Sequence, residues 1–202
     1  MIDLAALVLA CAPLVAPDTA QALIHVESAG NPFAIGVVGG ALARQPANLP
    51  EALATVAALE AAGWNYSVGL GQINKRNFNR LGLSAATAFK PCANLAAMQA
   101  VLGECFFRAS QRAPKQSALR DAFSCYYAGN FSTGHQHGYV SKVLAAWSSR
   151  AKPLGSVQLN AQPSAAADAA TRVTAGAPLF PPGPSKATFT PLPTTTHAGA
   201  LP

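Results

Sequence analysis

Apolar and polar positions along the first 150 residues recur with helical spacing and predict a mainly α-helical domain. The pattern predicts successive helices over 4–12, 18–29, 50–62, 94–111, 116–127 and 139–149. Between the third and fourth of these, GWNYSVGLGQIN mixes aromatic and β-branched residues with glycines, which is typical of short strands or irregular structure. The glycines of residues 36–40 indicate a glycine-rich loop. The expected fold is therefore a helical domain with a small β segment.

The second predicted helix has recognisable signals at both ends. Asp18 is expected as its N-cap, with Gln21 three residues later as a weak capping box. Gly30 suits the left-handed position after the helix, and Pro32 prevents its continuation. This prediction places Glu27 in the last helical turn.

The composition changes after Arg150. Residues 151–202 hold more than half of the chain's 16 prolines, and Asp168 is their only acid. Few large apolar residues remain there to offset the entropy that is lost on ordering. We therefore expect a folded domain over 1–150 and a disordered Pro/Ala/Thr-rich tail over 151–202.

Charge along the chain is sparse and positive. Only 11% of the residues are charged, and the net charge is +6. A positive charge favours polyanionic partners such as nucleic acid, acidic lipid or an anionic cell wall. The basic residues are scattered, so the sequence argues against a nucleic-acid interface. No stretch is long and apolar enough to predict a transmembrane segment.

The first seventeen residues are apolar enough to suggest export. No basic residue follows Met1 closely, however, and Asp3 stands where the positive region of a signal peptide belongs. We therefore expect the first helix of the domain here, with export by a route that the sequence does not show.

The cysteines leave two possibilities open. None forms a CxxC pair, which argues against a zinc site. An even number permits two disulfides in an oxidising compartment, but four buried free thiols fit the composition nearly as well. The four cysteines are Cys11, Cys92, Cys105 and Cys125.

His135 and His137 have no acid or cysteine beside them, so GHQHG predicts a solvated loop and no metal.

Glu27 is the candidate for acid–base chemistry. The negative end of the helix dipole and the apolar neighbours both disfavour a charged carboxylate at this position. A general acid that works near neutral pH requires such a setting. An exposed Glu at a helix end is the alternative, and position alone favours it.

Three motifs, in the same order along the chain, resemble those of the soluble lytic transglycosylases. HVESAGNPFAI resembles E-S-x-x-N-P, and SVGLGQIN resembles G-L-M-Q-I with Gly71 in place of Met. SCYYAGN resembles A-Y-N-A-G with Tyr127 in place of the Asn. Together with PCANL, the set most resembles the VirB1-like transglycosylases of type IV secretion systems, and three agreeing motifs are more specific than one.

The resemblance implies a lysozyme-like fold and non-hydrolytic cleavage of peptidoglycan. The bond cleaved would be the β-1,4 bond between N-acetylmuramic acid and N-acetylglucosamine, leaving 1,6-anhydro ends. Glu27 would be the single catalytic acid, and Gln72 and Tyr126 would line the sugar groove. Ser67 and Asn130 are weaker substrate-binding candidates. No cofactor or metal is implied.

The resemblance also implies disulfides, a location and partners. It pairs Cys11 with Cys92 and Cys105 with Cys125. It implies a periplasmic protein that contacts peptidoglycan glycan strands and components of the secretion apparatus. Two alternatives stay open: a muramidase that uses water, and a catalytically silent protein that binds the wall or assists assembly. Residues 37–65, longer than in the generic family, are expected to cap one side of the groove.

Overall fold

The computed structural model describes residues 3–150 of the chain. Most of these residues are helical. The prediction of a mainly α-helical domain with a small β segment is confirmed. No helix within these residues is both long and apolar enough to cross a membrane. The predicted tail, 151–202, lies outside the described residues. The helices are α1 (Leu4–Cys11), α2 (Pro17–Ser28), α3 (Leu49–Ala61), α4 (Ala85–Ala88), α5 (Pro91–Ser110), α6 (Lys115–Ala128), α7 (Thr133–Gln136) and α8 (Tyr139–Arg150).

Short strands form a small antiparallel sheet beside the helices. They are β1 (Ile35–Val37), β2 (Tyr66–Val68) and β3 (Ile73–Asn74), in the order β1-β2-β3. Gly36 pairs with Ser67 across β1 and β2. The prediction that residues 36–40 form a loop is therefore wrong at its first two positions, because the backbone there is paired with β2.

Helix α2 begins earlier than its polar residues predict. The N-cap is Ala16, without a side-chain hydrogen bond, and Pro17 supplies the fixed φ of the first helical position. The predicted N-cap at Asp18, with Gln21 in a capping box, is wrong. Asp18 lies instead within the first turn, where its charge complements the positive end of the helix dipole.

Helix α5 is the longest helix of the described residues, and it is tied to two neighbours by disulfides. One bond joins Cys11 of α1 to Cys92 at the start of α5. The other joins Cys105 of α5 to Cys125 of α6. These are the pairs that the resemblance implies, and no free cysteine remains among residues 3–150.

Helix α8 packs mainly against α2 and also against α6 and α7. Its buried apolar face consists of Tyr139 and of Val140, Val143 and Ala146, which recur at intervals of three. This packing brings the last helix of the domain against the end of α2, where Glu27 lies.

Candidate active site

A groove with a cavity volume of about 690 Å³ lies between the C-terminal end of α2, strand β1 and helix α8. Its lining includes Glu27 and Ser28 from α2, Gly36 from β1, and Tyr139 and Lys142 from α8. Glu27 is the only carboxyl group among the lining residues, within the part of the chain that the structure describes. The groove is therefore a concave site with one acid.

The end of α2 fixes the position of Glu27. Ala29 (φ 52°) and Gly30 (φ 82°) both adopt left-handed backbone, which ends the helix directly after Ser28. The Ser28 hydroxyl donates to the carbonyl of Leu70, 2.9 Å away, and so ties the helix end to the β2–β3 turn. Glu27 lies in the last turn, as predicted, and is half-buried there.

Tyr139 donates a hydrogen bond from its hydroxyl to Oε1 of Glu27. Burial is the main cause that raises the pKa of Tyr139 well above its ordinary value of 10.0, and the negative charge of Glu27 raises it further. The phenol therefore stays protonated and remains a donor across the neutral range. The ring of Tyr127 stacks on Tyr139 with a centroid distance of 4.6 Å and supports its orientation.

Gln72 presents an acceptor to the groove. Its Nε2 donates to the carbonyls of Ala34 (3.1 Å) and Gly69 (3.0 Å), which uses both amide hydrogens on the backbone. The side-chain oxygen Oε1 is left beside Gly36, where a β-carbon would lie only 2.7 Å from it. Gly36 thus leaves Oε1 uncovered, and Gln72 offers the groove a carbonyl oxygen but no donor.

Tyr126 lies outside the groove lining, so the expectation that it lines the sugar groove is not met. It is buried (6% exposed), because α6 directs it inward, and its hydroxyl donates to the carbonyl of Gly71. Asn94 accepts a hydrogen bond from the Gly71 N–H at 2.7 Å. A β-carbon at position 71 would lie 2.9 Å from Cβ of Met98. Tyr126 therefore positions the turn that carries Gln72.

The two weaker candidates, Ser67 and Asn130, lie outside the groove lining. Ser67 is fully buried in the central strand, and its hydroxyl accepts from Nδ2 of Asn74 at 3.2 Å. Asn130 accepts the backbone N–H groups of Ser132 and Thr133 through Oδ1, at 3.0 and 2.8 Å. Neither lines the groove, because one faces the interior of the sheet and the other orders the loop before α7.

Sequence reasoning missed several groove residues, among them Tyr139, Lys142 and Gln45. Gln45 acts like a strand partner for β1, since its Oε1 accepts from the N–H of Ile35 (2.8 Å) and its Nε2 donates to the Ile35 carbonyl (3.0 Å). It belongs to the 37–65 segment that was expected to cap one side of the groove. The only sequence signal for Tyr139 and Lys142 is the apolar face of α8.

His135 of GHQHG lies closer to an acid than its sequence context suggests. Nε2 of His135 is 3.0 Å from Oδ1 of Asp121, because α7 packs on α6. The expected solvated loop is partly the short helix α7, a single turn that periodicity does not reveal. Within residues 3–150, no group of three or more His, Cys, Asp or Glu side chains is arranged to hold a metal ion.

The chain is similar to known proteins over most of its described residues. The protein-family model described as "Transglycosylase SLT domain" matches residues 7–149. The chain is 47% identical over 171 residues to "Type IV secretion system protein virB1" of Brucella suis, covering 81% of this chain and 72% of that protein. It is 38% identical over 146 residues to "Protein virB1" of Agrobacterium fabrum, covering 71% of this chain and 59% of that protein. No solved structure matches the chain.

Proposed function

The chain belongs to the transglycosylase SLT family and, within it, to the VirB1 proteins. We propose that it is a peptidoglycan lytic transglycosylase. The bond cleaved is the β-1,4 bond between N-acetylmuramic acid and N-acetylglucosamine. One observation carries the proposal. Among the described residues that line the groove, Glu27 is the only carboxyl group.

Glu27 acts twice in the proposed reaction. The protonated carboxyl first gives its proton to the glycosidic oxygen as the bond from that oxygen to C1 of muramic acid breaks. The resulting carboxylate then takes the proton of the C6 hydroxyl of the same sugar. The C6 oxygen bonds to C1 and closes a 1,6-anhydro ring. Glu27 ends protonated, and no water is consumed.

A single carboxyl suffices because the substrate supplies its own nucleophile. Hydrolytic glycosidases need a second carboxylate, as a base or as a nucleophile. The acids of α3 do not provide one, since Glu51 pairs with Arg44 and Glu60 accepts a hydrogen bond from Tyr66. An intramolecular hydroxyl replaces a positioned water and gains the advantage of proximity.

Two neutral groups assist Glu27 in this proposal. The hydroxyl of Tyr139 orients the carboxyl group through the hydrogen bond to Oε1. The free Oε1 of Gln72 accepts a hydrogen bond from a hydroxyl or amide group of the bound sugar. Tyr139 is therefore a positioning residue, and Gln72 a substrate-binding one.

We also propose where the enzyme acts and with what. The name of the Brucella suis relative places that protein in a type IV secretion system. By extension, this chain opens the periplasmic cell wall for assembly of such a machine and contacts its components. Residues 151–202 serve as a spacer or as a contact arm for that apparatus.

The test is digestion of purified sacculi with mass analysis of the products. We expect the wild-type protein to release fragments with 1,6-anhydro ends, and Glu27→Gln to release none while still binding sacculi. Glu104→Gln is the matched control, because Glu104 pairs with Arg80 on the surface and does not line the groove. It should digest like the wild type.

Two other outcomes would replace the proposal. Fragments with reducing ends, heavier by one water, would identify a hydrolytic muramidase. Binding without any product, equal for the wild type and Glu27→Gln, would identify a catalytically silent wall-binding or assembly protein.

A further inference from the structure

One face of α8 forms a continuous wall of the groove. Tyr139, Lys142, Ala146 and Ser149 all line the groove, at intervals of three, four and three residues. This spacing places them on one side of the helix. Lys142 therefore follows Tyr139, the residue that holds Glu27, by roughly 4.5 Å along the helix axis.

Lys142 brings a positive charge to this wall. The other titratable groups that line the groove are Glu27, His25 and Tyr139. The ion pairs of the described residues involve other cations, namely Arg44, Arg80 and His135. Lys142 is exposed and forms no ion pair within residues 3–149, so its ammonium group can meet an anion on the substrate.

The helix beyond Lys142 leaves room for a substituent. Ala145, Ala146 and Ser149 line the groove there, and none has a side chain longer than two heavy atoms. On the proposed substrate, the group that projects from the sugar chain is the peptide stem of muramic acid, which carries free carboxylates. A cation beside this part of the groove can attract a chain with that charge.

We propose that Lys142 pairs with a carboxylate of the peptide stem on the muramic acid bound at Glu27, and so favours peptide-bearing glycan over bare glycan. This inference rests on the proposed function, and it names the part of the substrate that the α8 wall recognises. Lys142 is a specificity-determining residue here and takes no part in proton transfer.

The experiment compares two substrates: glycan strands that carry peptide stems, and strands stripped of stems by an amidase. The measured quantity is the ratio of kcat/KM on stem-bearing strands to kcat/KM on stripped strands. We expect Lys142→Gln to lower this ratio roughly two- to fivefold, which is the range for exposed ion pairs, mainly through a higher KM on stem-bearing strands. Lys142→Arg should keep the wild-type ratio.

Lys90→Gln is the control for the loss of one positive charge. Lys90 is exposed at the start of α5 and does not line the groove, so the ratio should match that of the wild type. Raising the salt concentration should lower the wild-type ratio but leave the ratio of Lys142→Gln unchanged, because a charge pair is screened.

The outcomes separate this inference from the proposed function. An equal loss on both substrates, or an unchanged ratio in Lys142→Gln, would overturn the assignment of Lys142 while leaving lytic activity established. Absence of product from either substrate with the wild-type protein would instead overturn the proposed function.

Discussion

The two sides of the groove are built in different ways. On the side of α2 and the sheet, polar side chains are bonded to backbone: Gln72 to Ala34 and Gly69, and Gln45 to Ile35. On the side of α8, Tyr139 is held by a hydrogen bond to the Glu27 side chain and by stacking on Tyr127. Lys142 is exposed there.

This difference suggests that the two sides of the groove have different functions. Groups fixed by backbone hydrogen bonds define the shape of the groove, because they cannot move without disturbing the strands. Groups on the α8 side set the orientation of the Glu27 carboxyl and the charge of the groove. Substitutions on the sheet side should therefore alter both stability and binding, whereas those on the α8 side should mainly alter turnover or selectivity.

Tyr139→Phe should give the largest effect and is confined to the α8 side. Removal of the hydroxyl leaves the ring stacked on Tyr127 but removes the hydrogen bond that orients the Glu27 carboxyl. We expect kcat to fall roughly 10- to 100-fold, since a hydrogen bond to a charged group contributes about 1.5–3 kcal/mol. Steady-state kinetics on soluble glycan strands would measure it.

The split between kcat and KM decides whether Tyr139 acts through position. A lower kcat with little change in KM supports positioning of the acid. Tyr66→Phe is the matched control, because its hydroxyl donates to Glu60 and Tyr66 does not line the groove. An equal loss of kcat in both variants would contradict the proposed role of Tyr139.

Gly36→Ala tests the sheet side. The added β-carbon would lie 2.7 Å from Oε1 of Gln72, so either the side chain or β1 must shift. We expect a loss of about 1–3 kcal/mol in the free energy of unfolding, together with a higher KM, because the acceptor moves. Chemical denaturation and steady-state kinetics would measure the two effects.

Gly103→Ala provides the contrast for this prediction. A β-carbon at that position on α5 meets no atom within 4 Å, so the helix should gain up to about 1 kcal/mol. If Gly36→Ala kept wild-type stability and KM, the sheet side would not be as rigid as its hydrogen bonds suggest.

Alkaline pH should lower the free energy of unfolding, in part through Tyr139 on the α8 side. Burial, followed by the charge of Glu27, raises the pKa of Tyr139 and of Tyr126 above 10.0. Above pH 10 the unfolded chain loses these protons first, so the stability that is present below pH 10 decreases as the pH rises. Each buried tyrosine should contribute at most roughly 1.4 kcal/mol per pH unit.

Tyr139→Phe isolates one part of this alkaline loss. The free energy of unfolding of the variant should fall less steeply between pH 10 and 11 than that of the wild type. Equal slopes for the two proteins would show that the Tyr139 phenol is not held protonated by its surroundings.

The same contrast explains what the sequence could predict. Glu27 and Gln72 each lie in a short motif whose local backbone, a helix end or a tight turn, determines where the side chain goes. Tyr139 is 112 residues from Glu27, and only the packing of α8 on α2 joins them. No local pattern encodes that contact, so periodicity predicted the helix but not its role in the groove.

The misplaced residues follow from a related limit. Tyr126 lies in a motif of the family, but a motif does not show whether a side chain points into the groove or beneath it. The hydroxyl of Tyr126 bonds to Gly71, and the buried face of α6 decides that direction. Sequence reasoning singled out these residues, but the depth of each side chain depends on the tertiary packing.

The central proposal is that one acid suffices because the substrate, and not water, attacks C1. The most direct measurement is digestion of glycan strands in water labelled with heavy oxygen, followed by mass spectrometry of the new ends. The proposal predicts anhydro ends that carry no label. Reducing ends that carry one labelled oxygen would show that water is the nucleophile and would contradict it.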